Sequence, residues 1–349
     1  ETTTSGHQPS VALIVAAYNE EDIIAEKIEN SLQLEYPEEQ LNIVVFSDAS
    51  DDRTDEIVEE YEDEGVSLVR IEGRVGKTEC QNRVVDLVDE EILVFSDANS
   101  MYDPDAISKL VSRFSEKVGC VVGELRYRES SDVEGESVYW RYESWIKRLE
   151  SRFYSLVTGN GSIYAVKSDS YVSQPADAIS DFTEPLSVVR RGERVAYAPD
   201  AVAWEETGSS AADELRRRVR IITRSWNSIV RFQDLLNPFS TTRFAYQLWS
   251  HKVLRWLSPM FLFGILTANV GLVFVTSSLV FELTLVGQLL FYILATVGWV
   301  TDRTEIENFT VTHIPFYFLQ ANYGMLLGFL NFIQGTNIIT WDTSERAGE

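Results

Sequence analysis

The sequence predicts an α/β fold with a mostly parallel sheet, followed by C-terminal transmembrane or membrane-interfacial helices, and three observations carry that prediction. From Val11 to about Ala203, short apolar runs bounded by turn residues alternate with helical patterns. Two of those runs end in aspartate-rich turns. Beyond about Val253, long uncharged stretches replace the alternation. On these shifts the chain divides into a catalytic-type domain over 1–211, an arginine-rich amphipathic segment over 212–252, apolar helices over 253–335 and a polar tail over 336–349.

Val11 to Ala17 is a continuous apolar run, as expected of a strand covered on both faces. Asn19 is placed to cap a following helix, with Glu20, Glu21 and Asp22 in its first turn and Ile23, Ile24, Ile28 and Leu32 along one face. Asn42 to Ser47 is a second strand, Thr54 to Glu64 a helix stopped by Gly65, and Val66 to Ile71 a third strand. Lys77 to Asp89 is helical, Ile92 to Ser96 a fourth strand, and Ser162 to Val166 a strand entered through Gly159-Asn160-Gly161. Val138 to Leu156 is an amphipathic helix whose stripe of Tyr142, Trp145, Ile146, Leu149 and Phe153 is expected to pack into the core. The apolar stretches are Val253 to Phe281, Leu283 to Val300 and Ile314 to Gly335. The third carries Gln320, Asn322, Asn331 and Gln334 and either spans or lies along the membrane surface.

Composition narrows the chemistry. The chain has 54 acidic against 30 basic residues, a net charge of −24, and only seven of the basic residues are lysine. Such a field repels nucleic acid backbones, so no nucleic acid partner is expected. Acid-rich, lysine-poor surfaces also suit concentrated salt, which screens self-repulsion, and a halophile-like protein is expected. Cys80 and Cys120 have no metal-like spacing and suit a reduced, cytosolic domain. The first ten residues show no signal-peptide pattern.

Two strands run into carboxylates: Ile43 to Ser47 into Asp48, Asp51 and Asp52, and Ile92 to Ser96 into Asp97-Ala98-Asn99. In parallel α/β sheets ligands bind beyond the carboxyl ends of the strands. Aspartates gathered on that rim suit Mg2+ or Mn2+, hard cations that take oxygen ligands and substrate phosphates. The first strand is followed by no G-x-G-x-x-G and the chain has no Walker A motif, which turns the reading away from dehydrogenases and P-loop enzymes.

Taken in order, Ala17-Tyr18-Asn19-Glu20, Asp48-x-Ser-x-Asp52-x-Thr54, Gly76-Lys77, Asp97-Ala98-Asn99, Gly159 to Tyr164 and Ser180-Asp181-Phe182 resemble the ordered motifs of family 2 glycosyltransferases. The resemblance covers about Ser10 to Arg224. It implies the Rossmann-like, nucleotide-sugar-binding fold called GT-A and sugar transfer with inversion at the anomeric carbon. It implies donor contacts from Ala17, Tyr18, Glu20, Asp48, Lys77, Asp97 and Ala98, metal ligation by Asp97 with Asn99, and acceptor contacts at Gly159, Asn160 and Gly161. Asp181 matches the general base, and its position also suits a helix N-cap. Asn99 departs from the family, whose metal motif has a second aspartate there, and Ser180 replaces a second carboxylate beside the base.

Asp213 to Leu235 is helical, with Arg217, Arg220, Arg224 and Arg231 on one face, where they suit either lipid headgroups or a pyrophosphate clamp. Arg217-Arg218-Val219-Arg220-Ile221 resembles the Q-x-x-R-W motif of processive synthases, with Arg217 and Ile221 in place of Gln and Trp. Arg217 and Arg220 are therefore assigned to the donor. The expected activity is inverting transfer from a nucleotide-sugar to a membrane-associated acceptor, a lipid-linked saccharide or polyisoprenyl phosphate. A processive polysaccharide synthase and a non-catalytic nucleotide-sugar-binding protein are the alternatives. Arginines 216 to 231 beside the apolar stretches place the catalytic domain on the cytoplasmic side of the cell membrane.

Overall fold

The computed structural model describes residues 8–128, 134–206, 211–302 and 310–336, with side chains of 134–140 and 211–214 left out. Trp341 and Arg346, expected to belong to a tail motif, lie outside the described residues. An eight-stranded mixed sheet carries the first two-thirds of the chain, in the order β3-β2-β1-β4-β7-β6-β8-β5. Its strands are β1 (Val11–Ala17), β2 (Leu41–Ser47), β3 (Val66–Arg70), β4 (Ile92–Asp97), β5 (Met101–Tyr102), β6 (Val118–Arg128), β7 (Tyr164–Lys167) and β8 (Arg194–Glu206). The first four pair parallel, as the alternation of strand and helix predicts. The antiparallel β7 then joins β4 to β6, which pairs parallel with β8.

Every residue of β1 is buried. Alternate side chains serve opposite layers: Ala12, Ile14 and Ala16 pack on one face, and Val11, Leu13, Val15 and Ala17 on the other. A strand covered on both faces therefore reads as unbroken apolar sequence. The helices covering the sheet are α1 (Ile24–Leu32), α2 (Thr54–Glu59), α3 (Lys77–Val85), α4 (Ala106–Val111), α5 (Glu134–Phe153), α6 (Ser180–Arg190) and α7 (Ala211–Arg231).

Three expectations are corrected. Asn19 does not cap a helix, because α1 begins at Ile24. Asn19 instead takes a left-handed conformation (φ 51°), and its side chain donates to Asp51 and accepts from the Asp51 backbone, joining the two strand-end loops. Asp181 is not an N-cap either: α6 opens at Ser180 after Ile179, leaving the Asp181 carboxyl free of capping. Most consequentially, the aromatic stripe of α5 faces outward. Tyr142, Trp145, Leu149 and Phe153 are exposed, while Glu143, Lys147 and Glu150 on the opposite side are buried. The sequence periodicity located the stripe but not its direction, since a charged face turns inward wherever partners await it.

Those partners lie in the next segment. There α8 (Thr242–Leu248) runs through a π turn (Trp249–Val253) and a short turn, α9 (Leu254–Trp256), into α10 (Ser258–Val275). Two more long helices follow, α11 (Leu279–Thr301) and α12 (Thr310–Ile333). Both α10 and α11 are long and apolar enough to cross a membrane, and only 6% of each apolar window is buried. α12 instead packs along α7 and α11. At its Gly328 a Cβ would stand 2.7 Å from Ile222 of α7, a closeness only glycine admits. An aromatic cluster closes this junction: the Trp226 ring lies 5.6 Å from Trp256, 5.3 Å from Phe329 and 5.9 Å from Phe332. Rings meeting edge-on and offset at these distances add to simple burial.

Candidate active site

β2 and β4 run in the same direction on either side of β1, so Asp48 and Asp97 emerge on one rim of the sheet. Asp48 is fully buried. Its Oδ1 accepts from Val75 N (2.8 Å), and its Oδ2 from Gly76 N (3.0 Å) and the Arg74 guanidinium (3.1 Å). A buried carboxylate with several donors is held in one orientation. Here it draws the 73–76 loop over the rim and sets the Arg74 guanidinium 3.1 Å from the centroid of the Tyr18 ring. Gly76 takes φ 94° and ψ 150°, a region closed to residues with a Cβ, and this turn starts α3 at Lys77. Ala17 and Ala98 have their methyl groups in the core, so only their backbones can face a ligand.

Lys77 Nζ pairs with Asp97 Oδ1. Gly161 lies beside this pair: a Cβ built on it would stand 3.1 Å from Lys77 Nζ, 3.2 Å from Asp97 Oδ2 and 3.8 Å from Asp181 Oδ2. Two carboxylates and one ammonium thus converge on the backbone of Gly161, closer than a side chain there would ordinarily admit. Burial and the neighbouring Asp97 raise the Asp181 pKa, while Lys77 pulls it down. A carboxylate with raised basicity in a cleft is suited to accept a proton.

The Gly159-Asn160-Gly161 turn divides its roles. Gly159 N donates to the Asp181 carbonyl (2.7 Å), tying the turn to the start of α6. Asn160 uses its side chain internally, donating to Gly123 O and accepting from Ile163 N. Of the three residues assigned to the acceptor, Gly161 alone borders the carboxylates.

Beneath Asp97 lies a buried network that the sequence pattern does not reveal. Glu205, at the end of β8, accepts from Ser100 Oγ (2.6 Å) and Ser162 Oγ, clamping the turn after Asp97 to the turn after Gly161. Lys27 of α1 is fully buried, donates to the Ser100 carbonyl and sits 4.0 Å over the Tyr102 ring. Burial lowers its pKa to about 7, against the pull of Asp97 and Glu205, and burial raises that of Glu205. Lys27 was the visible clue, a lysine on the apolar side of α1 between Ile24 and Ser31. Glu205 gave none.

The arginine face splits as well. Arg224 is buried and donates to the carbonyls of Asp177 (3.0 Å), Ala176 (3.3 Å) and Ala178, and Arg231 forks onto the Asp177 carboxylate at 2.7 Å. These two hold the segment leading into α6. Arg217 lies within electrostatic reach of Glu205, and Arg220 of Arg224, which in turn feels Asp181.

As for a metal, the described residues contain no group of three His, Cys, Asp or Glu side chains able to hold one. The oxygens available to hold one are those of the Asp97 carboxylate, whose Oδ2 lies beside Gly161, and of the Asn99 amide on the same turn. One carboxylate and an amide fit a hard divalent ion that keeps water and phosphate oxygens as its other ligands.

Residues 12–193 match the model described as Glycosyl transferase family 2. The chain belongs to that family. It is a glycosyltransferase, and it is 26% identical over 286 residues to a poly-β-1,6-N-acetyl-D-glucosamine synthase of Staphylococcus epidermidis, covering 76% of this chain and 68% of that one. A synthase of the same name from Staphylococcus aureus is 26% identical over 244 residues, covering 67% of this chain and 58% of that one. Among solved structures, the mannosyltransferase PcManGT from Pyrobaculum calidifontis, in complex with GDP-Man and Mn2+, superposes with a TM-score of 0.68 at 19% identity, over 95% of this chain and 89% of that one. That likeness establishes a shared GT-A-type fold with C-terminal helices.

Proposed function

We propose that this glycosyltransferase moves a sugar, with inversion, from a nucleotide-sugar to a hydroxyl acceptor held at the membrane face. The observation that carries the reading is the convergence of Lys77, Asp97 and Asp181 on the Gly161 cradle. Asp181 takes the acceptor proton as the acceptor oxygen bonds to the anomeric carbon, and the bond from that carbon to the phosphate oxygen breaks with its electron pair leaving on the diphosphate. Lys77, released from Asp97, is placed to meet the departing charge, and Arg217 and Arg220 are assigned to the same diphosphate. Mg2+ or Mn2+ at Asp97 and Asn99, when bound, supplies further positive charge for the leaving diphosphate. A diphosphate leaves without a proton, so one acid–base residue suffices. Tyr18, Glu20, Asp48 and Arg74 border the place of the nucleoside, with Asp48 acting through the loop it holds.

The membrane placement has structural support at the base itself. Phe182, the residue after Asp181, packs edge-on to Trp256 with ring centroids 5.7 Å apart, and α10 begins at Ser258. An acceptor reaching Asp181 from that side arrives from the mouth of the apolar helices, which suits a lipid-linked saccharide or polyisoprenyl phosphate. The matching synthases favour a second reading, polymer synthesis from an N-acetylglucosamine donor. Against it, Ile221 stands in the tryptophan position, and Trp226 is locked in the aromatic cluster rather than available to an acceptor. In this reading the catalytic domain faces the cytoplasm, where nucleotide-sugars are made, with the arginines of α7 on that side.

The test is nucleotide release by detergent-purified protein in high salt, from GDP-mannose, UDP-N-acetylglucosamine and related donors, with Mg2+, Mn2+ or chelator. Metal-dependent release from one donor is expected, and Asp181→Asn is expected to keep donor binding while transfer falls by on the order of 10²–10⁴. No release from any donor, with membrane lipids added, refutes the assignment.

A further inference from the structure

The outward stripe of α5 is the largest feature that the proposed chemistry leaves unused. Tyr142, Trp145, Leu149 and Phe153 are 53%, 56%, 43% and 52% exposed, and Tyr246 of α8, 67% exposed, extends the row by an edge contact with Phe153 (6.1 Å). Contiguous exposed apolar surface of this kind marks a binding or membrane face.

The opposite side of the helix decides what the row faces. Glu143 pairs with Arg255, and His251 bridges Glu143 (3.3 Å) and Glu150 (2.7 Å). Gln247 donates to the Glu150 carbonyl at 3.0 Å. All three partners lie in α8 or between it and Ser258, where the first long apolar helix begins. The polar face of α5 is therefore bolted to the few residues that precede a span, which brings the helix to the level at which that span enters the bilayer. The third side of α5 agrees: Arg141, Arg148 and Arg152 are all exposed along one flank of the stripe. In a chain with 54 acidic and 30 basic residues, such a row suits anionic phosphates rather than the average surface.

We infer that α5, together with Tyr246, lies flat in the headgroup region of the bilayer, its aromatic row among the upper acyl chains and its arginines on lipid phosphates. The inference rests on the reading of α10 as a membrane span. Aromatic side chains with one polar end, such as Tyr142, Trp145 and Tyr246, suit that boundary. Since α5 also connects β6 to the Gly159 turn, its seat on the lipid sets the height of the catalytic cleft above the membrane.

Nitroxide labels on the full chain in nanodiscs of mixed neutral and anionic lipid test this, because Cys80 and Cys120 are buried. Leu149→Cys is compared with Phe263→Cys in α10 and with Glu116→Cys on an exposed turn, by collision with oxygen and with a water-soluble nickel complex. The Leu149 label is expected to lie about 5–10 Å into the headgroup–acyl boundary, shallower than Phe263 and several-fold richer in oxygen contact than Glu116. A Leu149 label as wet as Glu116, with Phe263 in lipid, overturns the inference and leaves the membrane reading standing. Labels at 149 and 263 that are both wet overturn the two together. A Leu149 label shielded from both reagents assigns the row to a protein partner or a second copy, and equally overturns it.

Discussion

Burial of Glu184 leads to a stability prediction whose sign runs opposite to that of an ordinary carboxylate. Glu184 lies in α6, fully buried, with no well-formed hydrogen bond to either carboxylate oxygen and only Gln174 and the Val172 backbone nearby to oppose the cost of burial. Burial raises its pKa from 4.5 to about 8. The folded chain then holds a proton that the unfolded chain releases, so stability is fully present below pH 4.5 and is lost as pH rises toward 8. Each tenfold difference in proton affinity between the folded and unfolded chain corresponds to about 1.4 kcal/mol, so the loss between pH 5 and pH 8 amounts to about 3–4 kcal/mol. Glu184→Gln removes the ionisation and keeps the shape. Thermal melts in detergent and concentrated salt should show the variant little changed at pH 5 and more stable at pH 8, by roughly 7–14 °C for a domain of this size. Equal melting of variant and parent at pH 8 refutes the argument, since it means that Glu184 ionises within the fold at little cost.

Three further outcomes are expected. Lys27→Met and Glu205→Gln each leave a buried polar group short of a partner, at about 1–3 kcal/mol or more, and the double variant should lose less than the sum; additive losses in a denaturant double-mutant cycle would show that the two do not interact. Gly161, assigned to the acceptor, also borders the donor-side Lys77–Asp97 pair, so Gly161→Ala, whose methyl crowds that pair, should raise the donor KM in the nucleotide-release assay by on the order of tenfold for about 1.4 kcal/mol of lost binding; an unchanged KM confines Gly161 to the acceptor side. With a net charge of −24, the domain should be stable in 1 M potassium chloride, where the screening length is about 3 Å, and lose stability near 0.01 M, where it is about 30 Å; full stability at low salt ends the halophile reading.

The parallel half of the sheet was readable from the chain because strands covered on both faces are apolar without interruption, and helices between them alternate with period near 3.6. The strand-end aspartates were readable for the same reason: a strand's end locates its rim residues. Local pattern also located Asp181 and the glycine turn, whose order along the chain carried the family. Direction and partnership were not readable. The same α5 periodicity describes a core stripe or an outward one, and only the contacts of Arg255 and His251 with Glu143 and Glu150, more than 100 residues away, turn it outward. Likewise, Arg224 resembles its neighbours on the arginine face until the 176–178 carbonyls take its guanidinium, and Glu205 is anonymous until β8 carries it beneath Asp97. Sequence determines what each segment buries locally, because periodicity is a property of neighbours a few residues apart. Charge pairing across the chain is decided in space, by whichever group the fold delivers before water is excluded.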